Sequence, residues 1–370
     1  MNEKPRAASR RRYPWLMLLL PAALILQFVS SRNISATEEI YSRRIYPVLA
    51  AVFSLPARYI PFPAAELIAA LLAAFFVFIL LRGAVRLFRR GPRVLAGGLA
   101  KLAAFLCAAY FLFVVLWGLN YCRAPLAEAL GLDASSPSET ELYSALDSEI
   151  SAVNSLCGSI DYTSSGASGY DGGFDGMRLQ VNAGFDALES SLMQSDRYFA
   201  HVRSSPKSVF GSQYMAYTGI SGIFVPFTYE PCICTDCPSF TLPFTISHET
   251  AHLKGYAREE EANMLAYLAC CANPDVYYRY SGHLNAFIYL YDALYPTGGD
   301  TLRTHVAKLD RRAAKDVNIY FAYLRAHEGR AENTATKIND NYLKAQGQTG
   351  VASYDRFVVL LCAENKKSAG

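Results

Sequence analysis

Three apolar runs in the first 120 residues limit what this chain can fold into more than any other feature. YPWLMLLLPAALILQFVS (13–30) carries no charged side chain, FPAAELIAALLAAFFVFILLRG (62–83) has Glu66 near its start, and a third run extends from about Gly98 to Leu119, with LAAFLCAAYFLFVVLWGLN forming most of it. At about 1.5 Å per residue each is long enough, as a helix, to cross a hydrocarbon layer about 30 Å thick. Helix is the expected form because a lone segment in lipid must satisfy its own backbone polar groups. The first run follows Arg10, Arg11 and Arg12 as a signal peptide would, but its length and the two runs behind it favour a retained anchor. IYPVLAAVFSLPARYIP (45–61) is also apolar but is broken by Pro47, Pro56 and Arg58, which fits an interfacial or re-entrant segment better than a fourth span.

Charge divides at the same place. Residues 1–125 hold sixteen Lys or Arg and four Asp or Glu, so with +3 overall the remaining 245 residues carry −9. A basic membrane-proximal part joined to an acidic remainder does not describe a nucleic-acid-binding protein. Arg10, Arg11 and Arg12 precede the first span, and Arg82, Arg86, Arg89, Arg90, Arg93 and Lys101 crowd the link between the second and third. Both groups are expected on the cytoplasmic side of the membrane, with everything after about residue 122 outside it. Arg32, Arg43, Arg44 and Arg58 in the first loop weaken this bias without reversing it. The expected organisation is a membrane region (1–122), a helix and flexible connector (123–176) and a mainly α-helical, α+β domain (177–370).

In the connector, Ser136 or Ser138 is placed to cap a helix carrying Leu142, Leu146, Ile150 and Val153, and the Ser/Gly/Asp-rich remainder reads as loop. A helix over about 177–195 offers Leu179, Val181, Phe185, Leu188 and Leu192 for an apolar face. Residues 208–246 mix glycines with β-branched and aromatic residues, the pattern of short strands and turns. From 246 the pattern is mostly helical, over about 246–254, 257–272, 275–295, 300–326 and 353–363.

The chemistry concentrates in SHETAHLKGYAREEEAN (247–263). On a helix His248 and His252 stand one turn apart and face the same way, so two imidazoles can hold one metal ion, with Glu249 beside the first as a general base. Zinc suits such a donor set, taking three protein ligands and leaving a fourth position for water. Gly255 is placed to end the helix in a left-handed turn, which would bring Glu259, Glu260 or Glu261 back toward the ion. Periodicity alone does not choose between Glu259 and Glu261. Asn263, four residues after Glu259, is placed to hydrogen-bond a ligand and orient it. His283, Tyr280, Tyr267 and Arg258 are candidate donors to a developing oxyanion.

HETAHLKGYAREEEANMLAYLAC, YRYSGHLNAFIYL and NYLKAQGQTGVASYDRFVVLL resemble the bacterial family of membrane proteins catalogued as domain of unknown function 3810. The arrangement also looks like a wider group of glutamate-ligand zincins, among them membrane-bound stress and prenyl-protein proteases. The resemblance implies a zincin-like metallopeptidase domain, zinc as cofactor, His248 and His252 as ligands, Glu249 as base, Glu259 as third ligand and Asn263 in support. Here Glu259 follows His252 by only seven residues, which keeps Glu261 open as the alternative.

PCICTDCP holds Cys232, Cys234 and Cys237, which suit a disulfide, free thiols or a structural metal lacking its fourth ligand. Cys270 and Cys271 sit in an apolar helix as small core residues. The leading expectation is a zinc peptidase acting on a peptide or protein substrate at the outer face of the bilayer. The alternatives are a zinc-dependent cell-wall amide hydrolase and a non-catalytic sensory or binding protein that keeps the metal site. Oligomeric state is not encoded in any feature of the sequence.

Overall fold

The computed structural model describes residues 14–90, 93–192, 201–348 and 353–369. The basic run 10–12 lies outside the described residues, as do residues 349–352 in the last interhelical link. Helices α1 (Leu19–Arg32), α2 (Tyr46–Tyr59), α3 (Ala64–Arg90) and α4 (Arg93–Leu116) form the N-terminal region. Segments Trp15–Arg32, Ala64–Val85 and Gly98–Leu116 are long and apolar enough to cross a membrane, matching the three runs in the sequence to within about three residues. Their exposed surfaces are largely apolar, as in Leu24, Leu71, Phe75 and Leu106, with Arg32, Arg82 and Lys101 as exposed charges.

Most of the 45–61 segment is helical. Nine residues of π-helix, Thr37–Ile45, lead into α2. Pro47 falls where the π-helix passes into α2, and Pro56 lies one turn before the end of α2.

Beyond α4 come α5 (Glu139–Leu156), α6 (Gly173–Ser191), β1 (Lys207–Ser208), β2 (Gly222–Val225), β3 (Glu230–Ile233), α7 (Leu242–Leu253), α8 (Glu259–Ala272) and α9 (Val276–Leu294). The chain ends with α10 (Gly299–Val306), α11 (Arg311–His327), α12 (Arg330–Ala345) and α13 (Ser353–Ala369). Ser138 caps α5: its hydroxyl accepts from Glu141 N–H while the Glu141 carboxylate accepts from Ser138 N–H, a capping box. The helix expected over 300–326 is broken at 307–310, where the Asp310 carboxylate restarts it by accepting from Arg312 N–H. Helix α12 lies in a stretch that the sequence left unassigned.

These three strands form a small sheet in the order β1-β3-β2, with β1 parallel and β2 antiparallel to β3, and a separate two-residue antiparallel pair joins Asp161–Tyr162 to Ser168–Gly169 in the connector. β2 is therefore an edge strand, with one row of backbone groups unpaired by the sheet. Helix α8 runs through the middle of the domain against α6, α7, α9 and α13. Its Met264, Leu265, Ala266 and Ala269 are fully enclosed with Phe185, Tyr278, Phe287 and Phe357 in the main core. Gly184 of α6 allows this approach, since a Cβ there would stand 2.4 Å from the Ala269 carbonyl oxygen.

A second core joins the membrane region to the domain. Ala23, Tyr41, Tyr46, Ala50, Val114 and Trp117 pack with Phe224, Tyr229, Leu253 and Ala257. The two parts share buried side chains.

Candidate metal centre

Helix α7 is short because a glycine turn ends it. Gly255 takes φ +99°, Gly255 N–H donates to His252 O at 3.0 Å, and Tyr256 N–H donates to Ala251 O at 3.2 Å. This pair of bonds is a Schellman motif, which favours glycine at the left-handed position. The reversal returns the Tyr256 carbonyl to His252, whose Nδ1 lies 2.6 Å from it. The chain then restarts at Glu259, first residue of α8, facing the two histidines.

His248 Nε2 and His252 Nε2 stand 3.1 Å apart, with Glu259 Oε2 3.2 Å from the first and Oε1 3.7 Å from the second. A tetrahedral ion with metal–ligand bonds of about 2.0–2.1 Å holds its ligand atoms about 3.3–3.4 Å apart. The three side chains are thus spaced as a ligand set. Among the described residues they are the one group of three or more metal-ligating side chains within reach of a single ion.

The other imidazole nitrogens are held from behind. His248 Nδ1 lies 2.7 Å from Asn263 Oδ1, and His252 Nδ1 faces the Tyr256 carbonyl. Acceptors at both Nδ1 atoms set the Nδ1–H tautomer and turn both Nε2 lone pairs toward the shared point.

Electrostatics couple the cluster. Burial disfavours the His252 cation, but Glu259 outweighs it and the imidazole pKa is pushed up to about 9. Burial likewise opposes the Glu259 anion, yet His252 and His248 hold its carboxyl well below the usual carboxylate range. Without an ion the two residues form a buried ion pair. Glu249 differs, because burial pushes its carboxyl upward and Oε2 has no hydrogen-bond partner. Its carboxylate packs on β2, where a Cβ added to Gly222 would meet Oε1 at 2.6 Å.

Glu261, the alternative third ligand, is turned away. It accepts Leu126 N–H at 2.8 Å and pairs with Arg258 Nη1 at 3.1 Å, bracing α8 against the chain leaving the third apolar helix. The expected oxyanion donors are also engaged elsewhere. Arg258 holds Glu261 and the Arg123 carbonyl, Tyr280 donates to Asp316 at 2.7 Å, and Tyr267 and His283 both bind Glu149 at 2.7 Å. Two tyrosines missed in the sequence come closer. Tyr289 OH lies 3.5 Å from Asn263 Nδ2, and Tyr342 of α12 pairs with Tyr121 OH at 3.0 Å. Burial and then other groups, Glu259 among them, raise the pKa of both phenols, which keeps them protonated donors.

The three clustered cysteines do not converge on an ion site. Cys234 Sγ lies 3.2 Å from Ser212 O and Cys237 Sγ 3.4 Å from Tyr323 OH, while Cys232 is enclosed within β3. Cys270 is fully buried in α8, as a core residue should be.

Fold and site together define a mainly helical protein with three helices apolar enough to cross a membrane and a histidine–histidine–glutamate cluster at the junction of two helices. The chain belongs to the family described as "Protein of unknown function (DUF3810)", whose model matches residues 41–362. No curated protein and no solved structure matches the chain.

Proposed function

We propose that the protein is a membrane-anchored, zinc-dependent peptidase with a zincin-like catalytic domain on the extracytoplasmic side. The observation that carries this reading is the meeting of three spaced ligands with a buried, half-unpaired Glu249 beside an open strand edge.

His248, His252 and Glu259 would hold the ion, and Asn263 and the Tyr256 carbonyl keep both imidazoles aimed. A bound zinc ion supplies Lewis-acid activation of water and of the scissile carbonyl. Glu249 takes the proton of the attacking water at its unpaired Oε2 and returns it to the leaving amine. Burial raises its pKa, which makes the carboxylate a stronger base than an exposed one. β2 offers a peptide backbone an edge on which to add as a further strand, setting the scissile bond beside Glu249. Tyr342 is placed to donate to the oxygen that gains charge.

The arginine-rich stretch of the sequence between the second and third apolar runs supports this orientation, because positive loops favour the cytoplasm.

The test is turnover of a quenched-fluorescent peptide library by the full-length protein loaded with zinc. Cleavage by wild type, with loss of at least about 10²-fold in Glu249→Gln that still binds zinc, supports the peptidase. Equal activity of the two would remove Glu249 from the chemistry.

A further inference from the structure

The metal centre lies unusually close to the ends of the apolar helices. Trp117 directly follows the Gly98–Leu116 segment, and its ring centroid is 5.9 Å from that of His252. Tyr342 of α12 packs edge-on against Phe113 inside that segment at 6.3 Å. On the sheet side, Glu66 is the third residue of the Ala64–Val85 segment. Its carboxylate accepts Phe210 N–H at 2.7 Å and Gly211 N–H at 3.0 Å. Glu230 of β3 in turn accepts Ala64 and Ala65 N–H at 3.1 and 2.7 Å. The loop after β1 and strand β3 are therefore clamped to the first turn of a helix whose outer surface is hydrocarbon.

The surfaces that continue from this clamp are apolar where a soluble protein would be polar. α2 buries Tyr46, Ala50, Ser54 and Ala57 and turns Val48, Val52, Leu55 and Tyr59 outward, with Val48 62% and Tyr59 80% exposed. Its exposed residues include one charge, Arg58. Phe53 of α2 stacks on Tyr229 at 5.7 Å, which carries the surface onto the turn between β2 and β3, where Phe227 is also exposed. Phe210, at the Glu66 clamp, is 72% exposed, and Tyr214 four residues on is 73% exposed. Aromatic residues with an apolar body and a polar tip are those that favour the headgroup layer. A helix with an apolar outer face beside spanning helices lies in that layer.

We propose that α2, Phe210, Tyr214 and Phe227 form a surface that rests in the headgroup layer of the phospholipid bilayer. The edge strand β2 then opens beside the membrane. Resting on the peptidase reading, this assigns the substrate class: a polypeptide tethered to or emerging from the same membrane, cut within a few residues of it, in preference to a freely diffusing peptide.

Docking is tested without reference to catalysis. Tyr214→Trp, Val48→Trp and, as control, Arg303→Trp on α10, whose side chain is 84% exposed, are placed in nanodiscs of brominated phosphatidylcholine, and the wild-type signal is subtracted. Bromine quenching several-fold greater at 214 and 48 than at 303 is expected. Quenching at 214 and 48 no greater than at 303 overturns the surface. The substrate class is tested with one quenched-fluorescent peptide library, prepared with and without a palmitoyl chain. Cleavage at least 10-fold faster for the acylated library in nanodiscs supports it, and equal rates overturn it. If neither library is cut, the peptidase reading and the substrate class fall together, while the quenching result still decides the docking surface.

Discussion

The Tyr46 hydroxyl, on the segment between the first two apolar helices, lies 2.9 Å from the carbonyl oxygen of Leu253, the last residue of the metal helix. Trp117 Nε1 reaches the His252 carbonyl at 3.4 Å in the same way. Helix ends leave carbonyls without intrahelical partners, and here the membrane region supplies donors for those of α7. The site is held in place partly by residues more than 130 positions away in sequence.

Gly255 is the point where this arrangement is most sensitive. An alanine there would occupy a left-handed conformation, costing about 1–2 kcal/mol, and its Cβ would stand 2.9 Å from Tyr46 Cε1. Gly255→Ala should lower the thermal midpoint and weaken zinc binding together, because the Tyr256 carbonyl behind His252 moves with the turn. Differential scanning calorimetry with and without added zinc measures both.

Asn263→Ala removes the acceptor behind His248. Loss of a partner of this kind typically costs about 10–100-fold in metal affinity. Zinc titration against a competing chelator should show that loss, whereas Glu261→Gln should keep zinc and lose stability through the Leu126 and Arg258 contacts.

Zinc binding should release protons in a defined pH range. The metal-free His252 has a pKa of about 9 and is a cation at pH 7, while the metal takes neutral imidazole. Calorimetry at pH 7 in buffers of different ionisation enthalpy should therefore detect close to one proton from His252 per ion, and apparent affinity should rise with pH up to about 9. In the absence of metal the signs also fix a stability window. The raised His252 contributes fully below 6.5 and loses its contribution as pH rises through about 9; the depressed Glu259 contributes above 4.5 and loses it as pH falls. Unfolding midpoints of the metal-free protein should accordingly be least sensitive to this pair between pH 4.5 and 6.5.

Tyr342→Phe should leave zinc content and KM nearly unchanged and reduce kcat by about 10²-fold, the effect of removing one donor to a developing charge. Steady-state kinetics on the most rapidly cut peptide separates this from a structural defect, which would also move KM and the thermal midpoint.

Local periodicity made His248, His252, Glu249 and the turn at Gly255 legible in the sequence, because a helix and its left-handed stop are decided within a few residues. The choice of Glu259 over Glu261 was not legible. Both lie in the first turn of α8, and the selection is made by Leu126 N–H and Arg258, which draw Glu261 to the opposite side. Tyr342 was missed for a related reason: it arrives on a helix 83 residues beyond Glu259, and nothing in its own polar surroundings marks it. The three apolar helices were legible from length and composition alone, whereas the clamp of Glu66 on Phe210 depends on a tertiary contact that no local pattern encodes.

The most direct measurement is zinc content, with X-ray absorption at the zinc edge, of the purified full-length protein and of Glu259→Ala and Glu261→Ala. One zinc per chain with two imidazoles and carboxylate oxygen in the inner shell, lost in Glu259→Ala and kept in Glu261→Ala, is the result expected. A wild-type protein that takes up no zinc when supplied with it, or a zinc lost only in Glu261→Ala, would contradict the ligand set on which the rest is built.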